Sequence, residues 1–337
     1  VYGEQFNLLV KPVSDACPHK CQYCFFLNTQ EGSKRMSLET LEVLTKNYHE
    51  SVQAGAFDWQ GGEPCLRGVD FFREAVELQR RYPSREPACN SLQTSGTLLD
   101  AEWIKLLQGP GEWVVGLSCD GPTNESRGIP NSDIERAARL LRDGGVPFSL
   151  LCVVSRENVH KPKEVVRYLA TLGPHFQAIP CHRRTPGGED PGPSPSEWWA
   201  WLSGAHAAIR DEGLPISFGN AMTVGGMKRG MAGDCTHTGC GTYLVVSPSG
   251  SVHPCDFFVE DPYCLGSIHE HSLADIMRSK RMADFKALHD IPHADCEPCK
   301  VRSLCNRGCP RDRFLVAGDF TTKNPLCEGV QFLARIT

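Results

Sequence analysis

Short apolar runs and longer stretches of helical periodicity alternate along the first half of the chain. The runs are Phe6–Val10, Phe57–Trp59, Asn90–Gln93, Val114–Ser118, Phe148–Val154 and Phe176–Ile179. They are short and rich in apolar residues, as parallel strands buried on both faces should be. Between them, Leu38, Leu41 and Leu44 recur at helical spacing behind Ser37, whose hydroxyl suits an N-cap. Further helices are expected over Val69–Arg81, Asp100–Leu107, Ser132–Arg142 and His160–Leu172. Strands alternating with helices predict an α/β fold, a parallel barrel or a partial one. Chemistry in such folds sits at the C-terminal ends of the strands.

Beyond Pro180 the pattern changes. The Gly/Pro-rich stretch from Thr185 to Pro195 predicts an exposed loop. Trp198, Trp199 and Trp201 open a helix and read as core rather than a stacking platform. Gly225 to Gly233 reads as a bridge, which divides the chain into residues 1–224 and 225–337. In the second part, Tyr243–Val246 and Ser251–His253 predict a hairpin around Pro248-Ser249-Gly250.

Composition narrows the function. The 337 residues carry 35 Lys plus Arg against 40 Asp plus Glu, a net charge of −5. With no long basic run, nucleic acid is a poor partner. No apolar run approaches the roughly 20 residues of a membrane span, and the N-terminus lacks the regions of a signal peptide. The 17 cysteines bunch into an N-terminal triplet and a C-terminal block. That reads as metal clusters in a reducing cytoplasm, not as a secreted disulfide framework.

The triplet is Cys17, Cys21 and Cys24, directly after the first strand. Three thiolates on one tight loop can hold three corners of a 4Fe–4S cube and leave one iron open. An open iron can bind a small molecule and pass it an electron. The alternative is a zinc knot, but zinc loops favour CxxC pairs with a closed fourth ligand. The second strand ends in Gln60-Gly61-Gly62-Glu63-Pro64, where two glycines let the backbone approach a ligand closely. Ser118 ends the fourth strand with its hydroxyl toward the mouth, and Gln93 and Thr94 end the third. Asp120-Gly121-Pro122 reads as a turn.

The C-terminal block holds Cys235, Cys240, Cys255, Cys296, Cys299, Cys305, Cys309 and Cys327. These can saturate two cubes with four thiolates each, closed centres suited to moving electrons or holding the fold. Two four-cysteine zinc sites are the alternative. Cys65, Cys89, Cys119, Cys152, Cys181 and Cys264 are read as mostly buried thiols.

The CxxxCxxC loop, with Tyr23 before its third cysteine, resembles the cluster loop of the radical S-adenosylmethionine (SAM) enzymes. The C-terminal cysteine run resembles the SPASM domain of peptide-modifying members. Within that group the chain is most similar to the anaerobic sulfatase-maturating enzymes. The matching residues are Phe57 to Pro64, Asn90-Ser91-Leu92-Gln93-Thr94, Leu117 to Pro122 and Pro254-Cys255-Asp256-Phe257-Phe258.

The resemblance implies a partial (β/α)6 radical SAM barrel with a C-terminal SPASM domain, three 4Fe–4S clusters and SAM. It implies oxidation of a Ser or Cys in a sulfatase peptide to formylglycine, with electrons from a donor such as flavodoxin or ferredoxin. The implied SAM-binding residues are Tyr23, Gln60, Gly61, Gly62, Glu63, Ser118, Arg127 and Phe176, with Arg127 on the SAM carboxylate. Cys235, Cys240, Cys255 and Cys309 would hold one auxiliary cluster, and Cys296, Cys299, Cys305 and Cys327 the other. In the family's mechanism a 5′-deoxyadenosyl radical takes a hydrogen from the substrate Cβ. Asp256 is placed as the base that takes the hydroxyl or thiol proton, while a cluster takes the electron.

Two other readings compete. Another SPASM maturase would cross-link or epimerise a ribosomal peptide, often with a fused leader-binding domain, and only 16 residues precede Cys17. A bare electron carrier would need neither the Gly-Gly run nor a barrel.

Overall fold

All six apolar runs of the first half form strands. The computed structural model describes residues 6–26, 34–181, 189–219, 239–328 and 331. The strands are β1 (Asn7–Val10), β2 (Ala54–Trp59), β3 (Glu86–Thr94), β4 (Trp113–Ser118), β5 (Phe148–Val154) and β6 (His175–Pro180). They pair in parallel and in chain order, the connectivity of a (β/α) barrel. A short β7 (Ser217–Phe218) extends one edge. β2 and β3 begin earlier than the apolar runs. Glu86, Pro87 and Cys89 are exposed, so the first half of β3 left no apolar trace, and Cys89 is not the buried thiol expected.

The strands are not apolar on both faces, as the sequence pattern suggested. Phe148, Leu150, Cys152 and Val154 of β5 are buried, while Ser149, Leu151 and Val153 alternate with them and are half-buried. Helices cover the first face. Phe57 packs on Tyr48 of α1 (Leu38–Ser51), and Trp59 on Phe72 of α2 (Val69–Arg81). The second face carries polar or small residues, such as Asp58, Ser91, Gln93 and Gly116, and looks into the barrel.

Capping sets the helix starts. Ser37 accepts from the Thr40 N–H, and Asp100 stands before α3 (Ala101–Leu107) as its cap rather than within it. α4 spans Asn131–Asp143. α5 (Pro162–Leu172) begins two residues later than expected, because Pro162 suits the first helical turn. α6 (Pro195–Glu212) opens on a Ser194/Glu197 capping box and buries Trp198, Trp199 and Trp201 as core.

The expected hairpin forms as β8 (Tyr243–Val246) and β9 (Ser251–His253), followed by β10 (Gly266–Ser267). Its docking was not legible. β8 pairs parallel with β1, from Asn7↔Tyr243 to Val10↔Val246, so the C-terminal segment continues the barrel sheet. The proposed bridge, the 224/225 boundary and residues 182–188 of the Gly/Pro-rich loop lie outside the described residues. Among the described residues no helix is long and apolar enough to cross a membrane.

One buried histidine links fold stability to pH. His49 Nδ1 donates to the Tyr82 carbonyl at 2.5 Å, and burial lowers its pKa despite that bond. The unfolded chain therefore binds a proton that the folded chain resists, and stability is lost as pH falls below about 6.5. Urea midpoints measured across that range should fall on the acid side, and His49→Leu should flatten the slope.

Candidate active site

A cavity of about 270 Å³ opens at the C-terminal ends of the strands. Its wall brings together the loop cysteines Cys17, Cys21 and Cys24, the run Gln60–Glu63, Gln93, Thr94, Ser118 and Arg127. Phe257 and Arg311, from beyond the hairpin, close another side.

The backbone of the Gly-Gly run is bonded to the cysteine loop. Gly62 N–H donates to Ser14 O at 2.9 Å, and Glu63 N–H to Ala16 O at 2.8 Å. Gly61 has φ +139°, where a side chain would be strained. A Cβ on Gly62 would lie 2.1 Å from Ala16 O, a backbone atom fixed by the adjoining bond. Gly62→Ala should therefore displace the cysteine loop, cost about 1–3 kcal/mol and lower both Tm and SAM cleavage. Unchanged values would show that the loop yields freely.

Glu63 lines the cavity, but its carboxylate serves its own chain. Oε1 accepts from Thr94 Oγ1 (2.7 Å) and Cys65 N–H (3.2 Å). Oε2 accepts from Ser95 N–H (2.9 Å) and Ser95 Oγ (2.6 Å). These four bonds use the acceptor capacity of a carboxylate.

Arg127 also lines the cavity, with a different partner from the one expected. Its Nε and Nη2 each lie 2.9 Å from the Asp120 carboxylate. Burial works against this charge, yet Asp120 outweighs it and the Arg127 pKa is raised. Asp120 also accepts from the Val153 N–H at 2.9 Å and from the Tyr23 hydroxyl. Burial pushes the Tyr23 phenol far above its usual range, so it stays a donor. Tyr23 and Arg127 thus tie the cysteine loop to the ends of β4 and β5 through Asp120, which does more than shape a turn. An arginine six intervening residues after Asp120, in the next loop, was the available signal.

Ser118 accepts from Gln93 Nε2 at 3.0 Å, and both face the cavity. Gly116 makes room, since a Cβ there would lie 2.2 Å from Gln93 Oε1. Phe176 is a correction. It stacks on Phe218 at 4.5 Å between ring centroids and is fully buried. Strand alternation turns it toward the helices, while Ile179 of β6 reaches the cavity.

The remaining cysteines form two groups. Cys255 adds through-space charge at Cys240, and burial foremost pushes the Cys240 thiol up to about 12. Cys327, Cys296 and Cys299 act on Cys305 in the same way, and Gln331 Nε2 is 4.0 Å from Cys299 Sγ and 3.7 Å from Cys327 Sγ. Cys235 lies outside the described residues. Burial likewise pushes Cys17 up to about 11, with Cys21 and Cys24 adding to it. Where described, none of them is joined in a disulfide. Yet no three His, Cys, Asp or Glu among the described residues converge on one point, as a single zinc ion requires. A cube binds each thiolate to a different iron, so grouped but separated thiols fit it.

Asp256 follows Cys255 and is buried, ion-paired with the Lys11 ammonium. Lys11 extends β1 by one residue, donates its N–H to Val246 O at 2.9 Å and sits 3.8 Å from the centroid of the Phe26 ring. Sequence reasoning missed Lys11. A lysine ending an apolar strand directly before the cysteine loop was the visible signal. Asp256 itself does not line the cavity, but the neighbouring Phe257 ring does, packed 4.6 Å from Phe25 between centroids.

Comparison with known proteins places these features together elsewhere. A model of the radical SAM superfamily matches residues 12–169, and one of an iron–sulfur cluster-binding domain, SPASM, matches residues 235–306. A cysteine-type anaerobic sulfatase-maturating enzyme of Clostridium perfringens is 33% identical, over 91% of this chain and 89% of its own. A serine-type anaerobic sulfatase-maturating enzyme of Klebsiella aerogenes is 29% identical, over 96% of this chain and 83% of its own. The solved structure of native anSMEcpe with bound AdoMet and Cp18Cys peptide superposes with a TM-score of 0.87 and 29% identity, covering 98% of this chain and 96% of that one.

Proposed function

The chain belongs to the anaerobic sulfatase-maturating enzymes of the radical SAM superfamily, and from that premise we infer that it oxidises a Ser or Cys side chain of a sulfatase-type peptide to formylglycine. It is a radical SAM oxidoreductase whose cofactors are 4Fe–4S clusters and SAM. One observation carries the reading: the cysteine loop, the Gly-Gly run and the SPASM-side Phe257, which follows Asp256 in the chain, face a single cavity.

SAM on the first cluster supplies the species that removes hydrogen from the substrate Cβ. The chain's own residues do the rest. Cys17, Cys21 and Cys24 hold three corners of that cluster and leave the fourth open. The backbone carbonyls of Gln60–Gly62 and the Ser118 hydroxyl orient the methionine and ribose ends of SAM. Asp120, through Tyr23 and Arg127, holds the loop rigid against β4 and β5. Asp256 takes the hydroxyl or thiol proton, and the Lys11 ammonium keeps that carboxylate aimed. Cys240, Cys255 and Cys309, with Cys235, hold one auxiliary cluster. Cys296, Cys299, Cys305 and Cys327 hold the other. The two domains meet between residues 224 and 225, flavodoxin or ferredoxin supplies electrons, and the thiol-rich chain works in the cytoplasm.

The test is mass spectrometry of peptides with a Cys-x-Pro-x-Arg or Ser-x-Ala-x-Arg core after incubation with SAM and reductant. Loss of two hydrogens from Ser, or conversion of the Cys side chain to the same aldehyde, is expected; both peptides unchanged would refute the reading. Anaerobically reconstituted protein should also hold about twelve irons per chain, from three cubes. Four irons with a zinc-filled C-terminal site would contradict the cluster assignment.

A further inference from the structure

Four Lys or Arg residues are buried among the described residues: Lys11, Arg127, Arg311 and Arg313. Three have clear partners. Lys11 pairs with Asp256 and Arg127 with Asp120. Arg313 donates to the carbonyls of Leu288 (2.8 Å), Ile291 (2.9 Å) and His289 (3.1 Å), at and just beyond the end of the Lys280–Asp290 helix. Arg311 differs. It is 8% exposed and lines the cavity, yet its guanidinium makes no hydrogen bond or ion pair with any described residue. A buried cation with no counter-charge in contact is disfavoured, and the carboxylates near Arg311, Asp312 and Glu260, act on it only through space.

Its position supplies the missing charge. Arg311 stands two residues after Cys309, and its guanidinium stacks 4.8 Å from the centroid of the Phe257 ring, two residues after Cys255. It therefore bridges two segments whose cysteines share one auxiliary cluster on the reading above, on which this inference rests. Burial lowers its pKa; against that, charge reaches it through space from Asp312 first, then from Cys309, Cys255 and Glu260. We propose that Arg311 is the counter-ion of this auxiliary cluster and sets it as the electron acceptor of the reaction. A thiolate-ligated cube is an anion and gains a further negative charge on reduction. A fixed cation beside it favours the reduced form and raises its potential. The balance is complete: one donor electron breaks the C5′–S bond of SAM to give methionine and a carbon radical, the substrate Cβ gives that radical one hydrogen atom, its oxygen or sulfur gives a proton to Asp256, and the last electron reduces the cluster. Ser is then the aldehyde, and Cys is a thioaldehyde that water hydrolyses to the aldehyde with release of hydrogen sulfide. Arg311 touches none of the reacting atoms and is a positioning residue for the electron.

The experiment is an EPR-monitored redox titration of the reconstituted holoenzyme. Arg311→Met keeps a stem that can lie on Phe257 and removes the charge; Arg311→Lys keeps a charge. In Arg311→Met one auxiliary midpoint should move to more negative potential by about 59 mV or more, a tenfold loss in a one-electron equilibrium. The SAM-binding centre should stay at its wild-type potential, and Arg311→Lys should stay close to wild type throughout. Poor iron loading in Arg311→Met alone also supports the proposal, because charge is then what the cluster needs. Unchanged midpoints in Arg311→Met overturn it. So does the same shift, or the same loading defect, in both variants, since shape would then be the requirement. A raised peptide KM with all midpoints unchanged makes Arg311 a peptide contact and overturns it as well. Failure of the wild-type protein to make formylglycine, with the midpoint shift present, would instead indict the substrate reading.

Discussion

Asp256→Asn continues to cleave SAM while formylglycine formation falls about 100-fold or more. The amide keeps the shape of the carboxylate but cannot take the substrate proton. Formation of the aldehyde needs that proton removed from a hydroxyl or thiol whose own acidity is weak. A base that is aimed before the reaction lowers this barrier most. Lys11 fixes its position, since its ammonium is buried against the carboxylate and against the Phe26 ring. The split between the two activities is the informative part. A variant that merely loosened the fold near Cys255 would disturb cluster loading, whereas Asp256→Asn should retain about twelve irons. Wild-type formylglycine yield in this variant would remove Asp256 from the mechanism.

Replacing Cys24 with alanine has the opposite profile. Iron falls from about twelve to about eight per chain, and SAM cleavage is abolished along with formylglycine. Cys24 lies on the cavity wall with Cys17 and Cys21, and its N–H is held by Cys21 O at 3.0 Å, so no other described thiol can take its place on that loop. Cys296→Ala should also lose about four irons. It should keep SAM cleavage, because Cys296 belongs to the group with Cys305 and Cys327. Equal loss of cleavage in both variants, at equal iron content, would mean that the centres are not separate in function.

Much of this was legible in the sequence because it is local. The strand runs, the Ser37 start, the hairpin at Tyr243–His253 and the spacing of Cys17, Cys21 and Cys24 all lie within short windows. What escaped was set by partners far along the chain. β8 lies beside β1 only because 230 residues of fold return it there, and no feature of Tyr243–Val246 names that neighbour. The Lys11–Asp256 and Arg127–Asp120 pairings escaped for the same reason, since neither charge of a pair names its partner along the chain. Phe176 was misplaced because an apolar strand residue gives no sign of which sheet face it takes until the neighbouring strands fix it. Polar inner-face residues such as Ser91 and Gln93 are what distinguish a barrel with a cavity from a sheet sealed on both sides.

The central claim is that the loop of Cys17, Cys21 and Cys24 leaves one iron of its cluster for SAM. Electron–nuclear double resonance on the reduced, fully reconstituted protein, with SAM labelled at the methionine nitrogen, tests it most directly. A nitrogen coupling that develops on one centre and is absent in Cys24→Ala is the predicted result. Spectra that do not change when SAM is added would contradict the account.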